Sequence, residues 1–325
     1  MRNTDAIVSK ARPLSSFAED VRYYLSLEPR QLPSKYLYDS LGSALFDAIT
    51  HLPWYSLPRD EARLLQAHGA EIFDVVHGLT TIVELGPGSG DKLLALIGSR
   101  AGVRGPLDVR LIDVSRSALA RAARTVGDTP GVSVTAYEDA YETGLERFRT
   151  DRRERGRALA LFLGSNIGNF DPPGCEAFLR NVRAALVPSD TLLLGTDLVK
   201  SERDLLLAYD DPLGVTAAFN RNLLVRINRE LDGDFDVSAF VHRAVWNGDR
   251  SRVEMHLVSR WAQLIRIRGA QFELRMAEGE TIWTESSYKY RSADVLALFD
   301  RTGFRTITQW VDAAERFALT LAEAQ

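Results

Sequence analysis

Five short apolar runs, separated by amphipathic stretches, occupy the chain from about residue 81 to residue 200. Runs this rich in Val, Ile and Leu predict strands buried on both faces, and stretches such as Ser115 to Val126 and Cys175 to Leu186 have helical spacing. Strands that alternate with helices build a parallel, doubly wound sheet, so we predict an α/β fold. The runs are T-T-I-V-E-L, D-V-R-L-I-D-V, V-S-V-T-A-Y, A-L-A-L-F-L-G and T-L-L-L-G-T-D.

The flanks of this region have other patterns. The first 80 residues look mostly helical, and after residue 200 a helical stretch (Glu202 to Ile227) precedes the alternating segments V-H-R-A-V-W-N, R-V-E-M-H-L-V-S-R and Q-F-E-L-R-M, which are typical of antiparallel strands. The run V-L-A-L-F-D-R-T-G-F-R-T-I-T-Q-W predicts a helix, a turn and a closing strand. We therefore expect a core domain at 61–200 plus about 291–325, and an α+β substrate-binding cap at 1–60 plus 201–290.

Composition narrows the class of protein. The net charge of −4, and the acids Asp151 and Glu154 inside the basic run 147–157, favour a solvated loop or helix end over a nucleic-acid patch. The lone Cys175 excludes an internal disulfide framework and suits a reducing cytoplasm, and the five histidines show no metal-ligand spacing. Residues 1–10 contain no apolar signal region, and no eighteen apolar residues run together. We expect a cytoplasmic monomer that needs no metal, nucleic acid or membrane.

A glycine-rich turn follows the first apolar run, in V-E-L-G-P-G-S-G-D-K. Gly86, Gly88 and Gly90 would let a nucleotide approach backbone N–H groups, but the spacing lacks the third glycine of a dinucleotide site and the G-K-[ST] of a P-loop. Glu84 before the turn and Asp113 after the second run suit ribose hydroxyls and an α-amino group, as in S-adenosylmethionine. A dinucleotide site or a structural turn stays open, as does a helix N-cap for Asp113.

The fourth apolar run ends in L-F-L-G-S-N-I-G-N-F. Open α/β sheets bind ligands at the carboxyl ends of their strands, so Ser165, Asn166 and Asn169 would face the crevice. The motif is not G-x-S-x-G, which disfavours a hydrolase, although an asparagine here is equally compatible with a simple turn.

Several segments taken together closely resemble the L-histidine Nα-methyltransferases of ergothioneine biosynthesis, in the same order and over roughly residues 20 to 320. The most specific is A-Y-D-D-P-L-G-V-T-A-A-F-N-R-N. The resemblance implies a Rossmann-like core, S-adenosylmethionine as methyl donor, and three methylations that give trimethylhistidine (hercynine). The other segments are L-P-S-K-Y-L-Y-D-S-L-G-S-A-L-F-D-A-I-T-H-L-P-W-Y, V-E-L-G-P-G-S-G-D-K, F-L-G-S-N-I-G-N-F, L-L-L-G-T-D-L-V-K and T-E-S-S-Y-K-Y.

The resemblance also implies a cofactor site over the glycine loop, with Asp113 on the ribose. Beside the adenine the family has Gly-Asp-Phe, whereas this chain has Asp139, Ala140 and Tyr141. Tyr141 would take the place of the family's phenylalanine ring. The family's aspartate is either absent from this chain or displaced by one residue, to Asp139. The cofactor residues implied are Gly86, Lys92, Asp113, Ala140, Tyr141, Gly164 and Ser165.

For the amino acid, the resemblance implies contacts to three groups. Glu285 and Ser287 would hold the imidazole, which needs an acceptor for its N–H when buried, because an unmet donor costs about 1 to 3 kcal/mol. Met255 would line the side-chain pocket, with Phe46 nearby. The amino and carboxylate groups would contact Tyr38, Tyr55, Asn169 and Tyr209, of which Tyr38 and Asn169 are the candidate catalytic residues.

Two alternatives stay open. One is the same fold acting on another amino acid such as tryptophan, which Glu285 and Met255 disfavour because an indole does not need a buried carboxylate. The other is a binding module that keeps nucleoside affinity without catalysis. A nicotinamide dehydrogenase is a weak third candidate, since the glycine spacing opposes it.

Overall fold

The computed structural model describes residues 15–100, 105–152, 156–314 and 316–325. Residues 1–10, where we expect no signal segment, and residues 153–155 of the basic run lie outside the described residues. Arg147 and Arg149 of that run are exposed near the end of a helix, as predicted. In the described ranges, no helix is both long and apolar enough to cross a bilayer.

Three helices precede the first strand, which confirms the helical prediction for the described part of this region. Asp39 caps the second helix by accepting the N–H of Gly42 at 2.7 Å. A Cβ at Gly42 would lie 1.7 Å from the carbonyl oxygen of Leu37, so only glycine fits there. This packing fixes Tyr38 between a short 3-10 turn and the helix. The helices are α1 (Ser16–Leu25), α2 (Ser40–Thr50) and α3 (Leu57–Val75).

All five predicted core strands are confirmed, and they pair in parallel. The apolar side chains of β1 point alternately into two hydrophobic clusters, Ile82 into one and Val83 into the other, because the sheet is covered on both faces. These elements are β1 (Leu79–Leu85), α4 (Asp91–Gly98), β2 (Leu107–Asp113), α5 (Arg116–Gly127), β3 (Val132–Glu138), α6 (Tyr141–Asp151), β4 (Arg157–Phe162), α7 (Pro172–Ala185) and β5 (Thr191–Asp197).

The helical stretch predicted from Glu202 to Ile227 is confirmed, but the chain divides it into two helices: α8 (Glu202–Tyr209) and α9 (Val215–Leu231). Asp211 accepts the N–H groups of Val215 at 3.2 Å and Thr216 at 2.8 Å, which satisfies donors at the start of α9. Gly214 has a φ of +73°. Asp211 and Gly214 of the D-D-P-L-G-V segment therefore build the break.

A three-stranded antiparallel sheet, with β7 in the centre between β6 and β10, follows α9 together with a two-stranded ribbon. The strands are β6 (Phe240–Asn247), β7 (Arg252–Ser259), β8 (Gln263–Ile267), β9 (Phe272–Met276) and β10 (Thr281–Tyr288). The sequence predicted β6, β7 and β9 but not β8 or β10. The buried positions of β10 include Thr284, Glu285 and Ser287, so the strand lacks an apolar alternation.

The chain ends with α10 (Ser292–Arg301), β11 (Phe304–Val311) and β12 (Phe317–Ala324). The main sheet has the order β11-β12-β5-β4-β1-β2-β3, and β12 runs antiparallel to both of its neighbours. The predicted helix, turn and strand are confirmed as α10 and β11, but the strand that pairs with β5 is β12, which was not predicted. A mostly parallel, doubly wound sheet with an additional antiparallel sheet confirms the predicted fold class.

Candidate active site

The glycine turn lies at the carboxyl edge of the main sheet, between β1 and α4. Gly86, Gly88 and Gly90 have φ values of +69°, +58° and +84°, a region that disfavours other residues. A Cβ on Gly86 would lie 2.9 Å from the hydroxyl oxygen of Tyr141 and 3.1 Å from Nδ2 of Asn166. The bare loop therefore forms a narrow cradle against the start of α6 and the end of β4.

A buried carboxylate lies beneath this cradle. Glu84 is 1% exposed, and its Oε2 has no hydrogen-bond partner among the described residues. Burial raises the pKa of Glu84 to about 7, against the opposing charge of Lys92 and with help from Glu61 and Asp113. An acid left without a donor at this depth is available to a ligand that brings one.

Lys92 is held by a residue that the sequence analysis missed. Its Nζ lies 2.7 Å from Oε2 of Glu61, which is fully buried in α3. The carboxylate of Glu61 also accepts the N–H of Gly164, at 2.8 and 3.0 Å. Glu61 therefore ties α3 to α4 and to the end of β4, and it leaves the ammonium of Lys92 partly exposed at the site. No local motif in the sequence identifies it.

Asp113 ends β2, as predicted. Its Oδ1 accepts the N–H of Ser115 at 2.8 Å, whereas Ser115 itself caps α5, so the N-cap alternative for Asp113 is wrong. Burial raises the pKa of Asp113, and backbone N–H groups of Ser115 and Val114 partly offset this.

The acidic residue after β3, Asp139, does not occupy the position that the acid has in the family pattern. Asp139 pairs with Arg147 of α6 at 2.6 Å, and Ala140 is the N-cap residue of α6. Tyr141 begins the helix, and its ring packs edge-on against Phe162 at 5.6 Å between centroids. The structure therefore gives Asp139 a partner on the helix that follows it and directs Tyr141 toward the glycine loop.

All eight residues that the resemblance assigns to the amino-acid pocket line one cavity. Glu285 and Ser287 are buried there, at 8% and 7% exposure, while Asn169 lies exposed. Gly164, Ser165 and Asn166 line the same cavity, so it adjoins the cofactor cradle. The eight are Tyr38, Phe46, Tyr55, Asn169, Tyr209, Met255, Glu285 and Ser287.

Aromatic rings form the cap side of this cavity. Tyr38 packs against Phe46 at 5.4 Å and against Phe219 at 5.5 Å, and Tyr55 packs against Tyr209 at 6.0 Å between centroids. The sequence analysis assigned no role to Phe219, although it lies in the A-Y-D-D segment. Burial raises the pKa of Tyr38 well above its usual value, and the charge of Glu285 adds to this, so its hydroxyl stays protonated.

The polar floor comes from β10 and its continuation. Glu285 lies opposite Met255 of β7, and burial raises its pKa to about 7, partly offset by the charge of Lys289. Two residues on, Ser287 Oγ accepts a hydrogen bond from the hydroxyl of Tyr209 at 2.8 Å.

Ser165 closes the far side of the cavity in a left-handed conformation, with a φ of +55°. Its Oγ accepts the N–H of Asp197 at 2.9 Å, which joins the ends of β4 and β5. Asp197 also forms an ion pair with Lys289 at 2.8 Å. Neither Asp197 nor Lys289 was predicted as a site residue, although both lie in segments that carry the resemblance.

The sequence profile of the family described as "Histidine-specific methyltransferase, SAM-dependent" matches residues 17–324. The chain belongs to this family. It is 42% identical to the histidine N-alpha-methyltransferase of Mycolicibacterium smegmatis, over 93% of each chain. It is 26% identical to the ergothioneine biosynthesis protein 1 of Neurospora crassa, over 91% of this chain and 34% of that one. It is also 26% identical to a 4-dimethylallyltryptophan N-methyltransferase of Penicillium roqueforti, over 91% and 90%.

The methyltransferase uses S-adenosylmethionine as methyl donor, and the described residues fit that molecule. The unpartnered oxygen of Glu84 suits an ammonium group, and the partly exposed Lys92 suits a carboxylate. The cradle at Gly86 suits close approach of a backbone-binding ligand, because any Cβ would fill it. Asp113, at the end of β2, is an acceptor that suits ribose hydroxyls.

Proposed function

We propose that this enzyme transfers methyl groups to the α-amino nitrogen of L-histidine, three times in succession, and so makes hercynine for ergothioneine biosynthesis. The observation that carries the proposal is the pairing of Glu285 and Ser287 on one face of β10, buried in a cavity that adjoins the cofactor cradle. An imidazole presents one donor and one acceptor, and these two side chains can satisfy both. The name of the mycobacterial relative supports the same substrate, and that of the Neurospora relative supports the pathway, whereas the Penicillium relative is named for a tryptophan derivative.

S-adenosylmethionine, when bound, supplies a sulfonium methyl group for in-line displacement. The protein must then hold a neutral amine in line and keep water out, since correct alignment alone contributes much of the rate. We assign Asn169 to orient the amine and Tyr55 to donate to the substrate carboxylate, while Tyr209, whose single hydrogen goes to Ser287, lines the pocket beside them. Tyr38 contributes a neutral hydroxyl rather than a phenolate base, because burial raises its pKa.

The aromatic rings suit the product as well as the substrate. Each methylation makes the nitrogen bulkier and finally gives it a fixed positive charge. Tyr38, Phe46 and Phe219 line the cavity, and aromatic rings attract such a cation without forming a strong hydrogen bond to it. A wall of this kind tolerates all three methyl groups.

The test is mass spectrometry of products after incubation with S-adenosylmethionine and an equimolar mixture of the twenty amino acids. We expect histidine alone to gain one, two and then three methyl groups. Methylation of tryptophan instead would contradict the role of Glu285 while keeping the fold and cofactor. If no amino acid were methylated although S-adenosylmethionine still bound, the binding-module alternative would be favoured.

We also propose that residues 61–200 plus about 291–325 form the core domain and that 1–60 plus 201–290 form the cap. The strands of the main sheet, which come from 79–197 and 304–324, support this division. We propose further that the enzyme works as a cytoplasmic monomer without nucleic acid or membrane partners. Size-exclusion chromatography with light scattering tests the monomer.

A further inference from the structure

Lys289 carries a charge directly beneath the substrate cavity, and the proposed mechanism gives it no role. Its side chain has no exposed surface, so each of its N–H groups needs a partner. All three have one: the hydroxyl oxygen of Tyr209 at 2.8 Å, Oγ of Ser287 at 2.9 Å and Oδ2 of Asp197 at 2.8 Å. The ammonium is therefore fixed, and it acts on the cavity through the two hydroxyl groups it contacts.

These contacts decide how Ser287 can bond. A serine hydroxyl has two acceptor lone pairs and one hydrogen. Oγ of Ser287 accepts from Lys289 Nζ and also from the hydroxyl of Tyr209, at 2.8 Å, so both lone pairs are occupied. Because Ser287 lines the cavity, its own hydrogen is what it can offer a bound ring. Ser287 is thereby a donor.

Glu285 complements this donor. It precedes Ser287 by two residues on the same face of β10, and both side chains line the cavity. As a carboxylate it can only accept. The pair therefore fits a ring with one N–H and one bare nitrogen. An imidazolium would bring a second N–H to the oxygen of Ser287, whose two lone pairs are already occupied. An indole has no nitrogen without a hydrogen.

We propose that Lys289, held by Asp197, is a positioning residue that fixes Ser287 as a hydrogen-bond donor and thereby makes the pocket select a neutral imidazole. The inference rests on the proposed function. Without Lys289, a lone pair of Ser287 is freed and the hydroxyl can turn, so the pocket loses its preference for a bare nitrogen.

Lys200 provides a matched control. Its Nζ lies 2.5 Å from Oδ1 of Asp197, so it shares the carboxylate with Lys289, but it forms no hydrogen bond to Ser287 or Tyr209. Lys289→Met and Lys200→Met each remove one ammonium from the same acid. If the loss of a buried charge is what matters, activity should fall in both variants. If the hydrogen bond to Ser287 is what matters, activity should fall in Lys289→Met alone.

The experiment measures kcat/KM for L-histidine and the Kd of S-adenosylmethionine in the wild type, Lys289→Met, Lys200→Met, Ser287→Ala and the double variant Ser287→Ala/Lys289→Met. We expect Lys289→Met to lose about 10- to 50-fold in kcat/KM, mainly through KM, and Lys200→Met less than about threefold. In the Ser287→Ala background, Lys289→Met should add less than about twofold. An equal loss with and without Ser287, or no loss at all, overturns the inference.

A second measurement tests the inference even if the Lys289→Met variant does not fold. Nitrogen NMR of ¹⁵N-labelled L-histidine, bound to the wild type with S-adenosylhomocysteine, reports each ring nitrogen separately. We expect one protonated nitrogen and one bare nitrogen with a hydrogen-bond shift, and Ser287→Ala should abolish that shift. Two protonated ring nitrogens overturn the inference. A wild type that neither binds nor methylates histidine overturns the proposed function and this inference with it.

Discussion

The cofactor side and the substrate side of the site share one arrangement: a buried glutamate, a lysine, and a second buried carboxylate that pairs with the lysine. Each side has a buried glutamate whose pKa burial raises to about 7, Glu84 on one side and Glu285 on the other. Each also has a lysine paired with a buried carboxylate: Lys92 with Glu61 at 2.7 Å, and Lys289 with Asp197 at 2.8 Å.

The two lysines differ in exposure. The side chain of Lys92 is 31% exposed and is hydrogen-bonded to Glu61, whereas that of Lys289 is fully buried and has two hydrogen bonds and one ion pair among the described residues. Lys92 is therefore free to bind a ligand directly, and Lys289 can act only through its neighbours. We therefore propose that a lysine–carboxylate pair contacts the ligand on the cofactor side and supports neighbouring side chains on the substrate side.

The largest expected effect separates the two glutamates. Glu285→Ala should lower kcat/KM for histidine by about 10²- to 10³-fold, because the ring N–H loses its acceptor in a buried pocket. The Kd of S-adenosylmethionine should change less than about threefold, since the cradle at Glu84 is intact. Steady-state kinetics and calorimetry measure the two effects. Glu278→Ala, at an exposed position just before β10, is the matched control. Unchanged histidine turnover in Glu285→Ala would remove Glu285 from the imidazole site.

The next effect concerns stability and its dependence on pH. The raised pKa of Glu285 means that its ionised form destabilises the fold above about pH 7, and that this penalty disappears as pH falls toward the unfolded-state pKa. Glu285→Gln should therefore be more stable than the wild type at pH 8.5, by on the order of 3 kcal/mol, and within about 1 kcal/mol of it at pH 5. Thermal melts at both pH values test this. Glu84→Gln should behave in the same way, and a variant whose advantage does not depend on pH would contradict the assignment.

A smaller effect is expected when Lys92, the lysine on the cofactor side, is replaced. Lys92→Met should weaken S-adenosylmethionine binding by about 10- to 30-fold, because a charge-assisted hydrogen bond to the cofactor is lost and Glu61 loses its partner. At saturating cofactor the KM for histidine should stay within about threefold of the wild type. Lys35→Met, which removes an exposed lysine paired with Asp20, controls for loss of charge. A changed KM with normal cofactor affinity would reverse the roles of the two lysines.

How well the sequence predicted each side follows from how its residues are distributed along the chain. The cofactor cradle is largely contiguous, since Glu84, the three glycines and Lys92 lie within a few residues of one another, and a strand followed by such a turn has a direct physical interpretation. The substrate pocket joins side chains from six separate parts of the chain, so the resemblance was needed to assemble it.

Two misses have different causes. Lys289 continues the period of two set by Glu285 and Ser287, so the sequence contained a signal, but β10 was not predicted as a strand because its buried positions include polar residues. Glu61 has no such signal. It lies on α3, far along the chain from Lys92 and Gly164, and three-dimensional packing alone brings them together.

The smallest effect compares one tyrosine from each side. Tyr38→Phe should lower kcat for histidine by about 3- to 10-fold, the loss of one neutral hydrogen bond, while Tyr141→Phe should instead raise the Kd of S-adenosylmethionine by a similar factor. Because burial raises the pKa of both hydroxyls, neither acts as a phenolate base, and the dependence of kcat on pH should keep its shape in both variants. Rate measurements from pH 6 to 9.5 test this. If Tyr38→Phe removed a limb of the pH profile together with most of the activity, Tyr38 would be the proton acceptor, and the substrate side would contain a base that the cofactor side lacks.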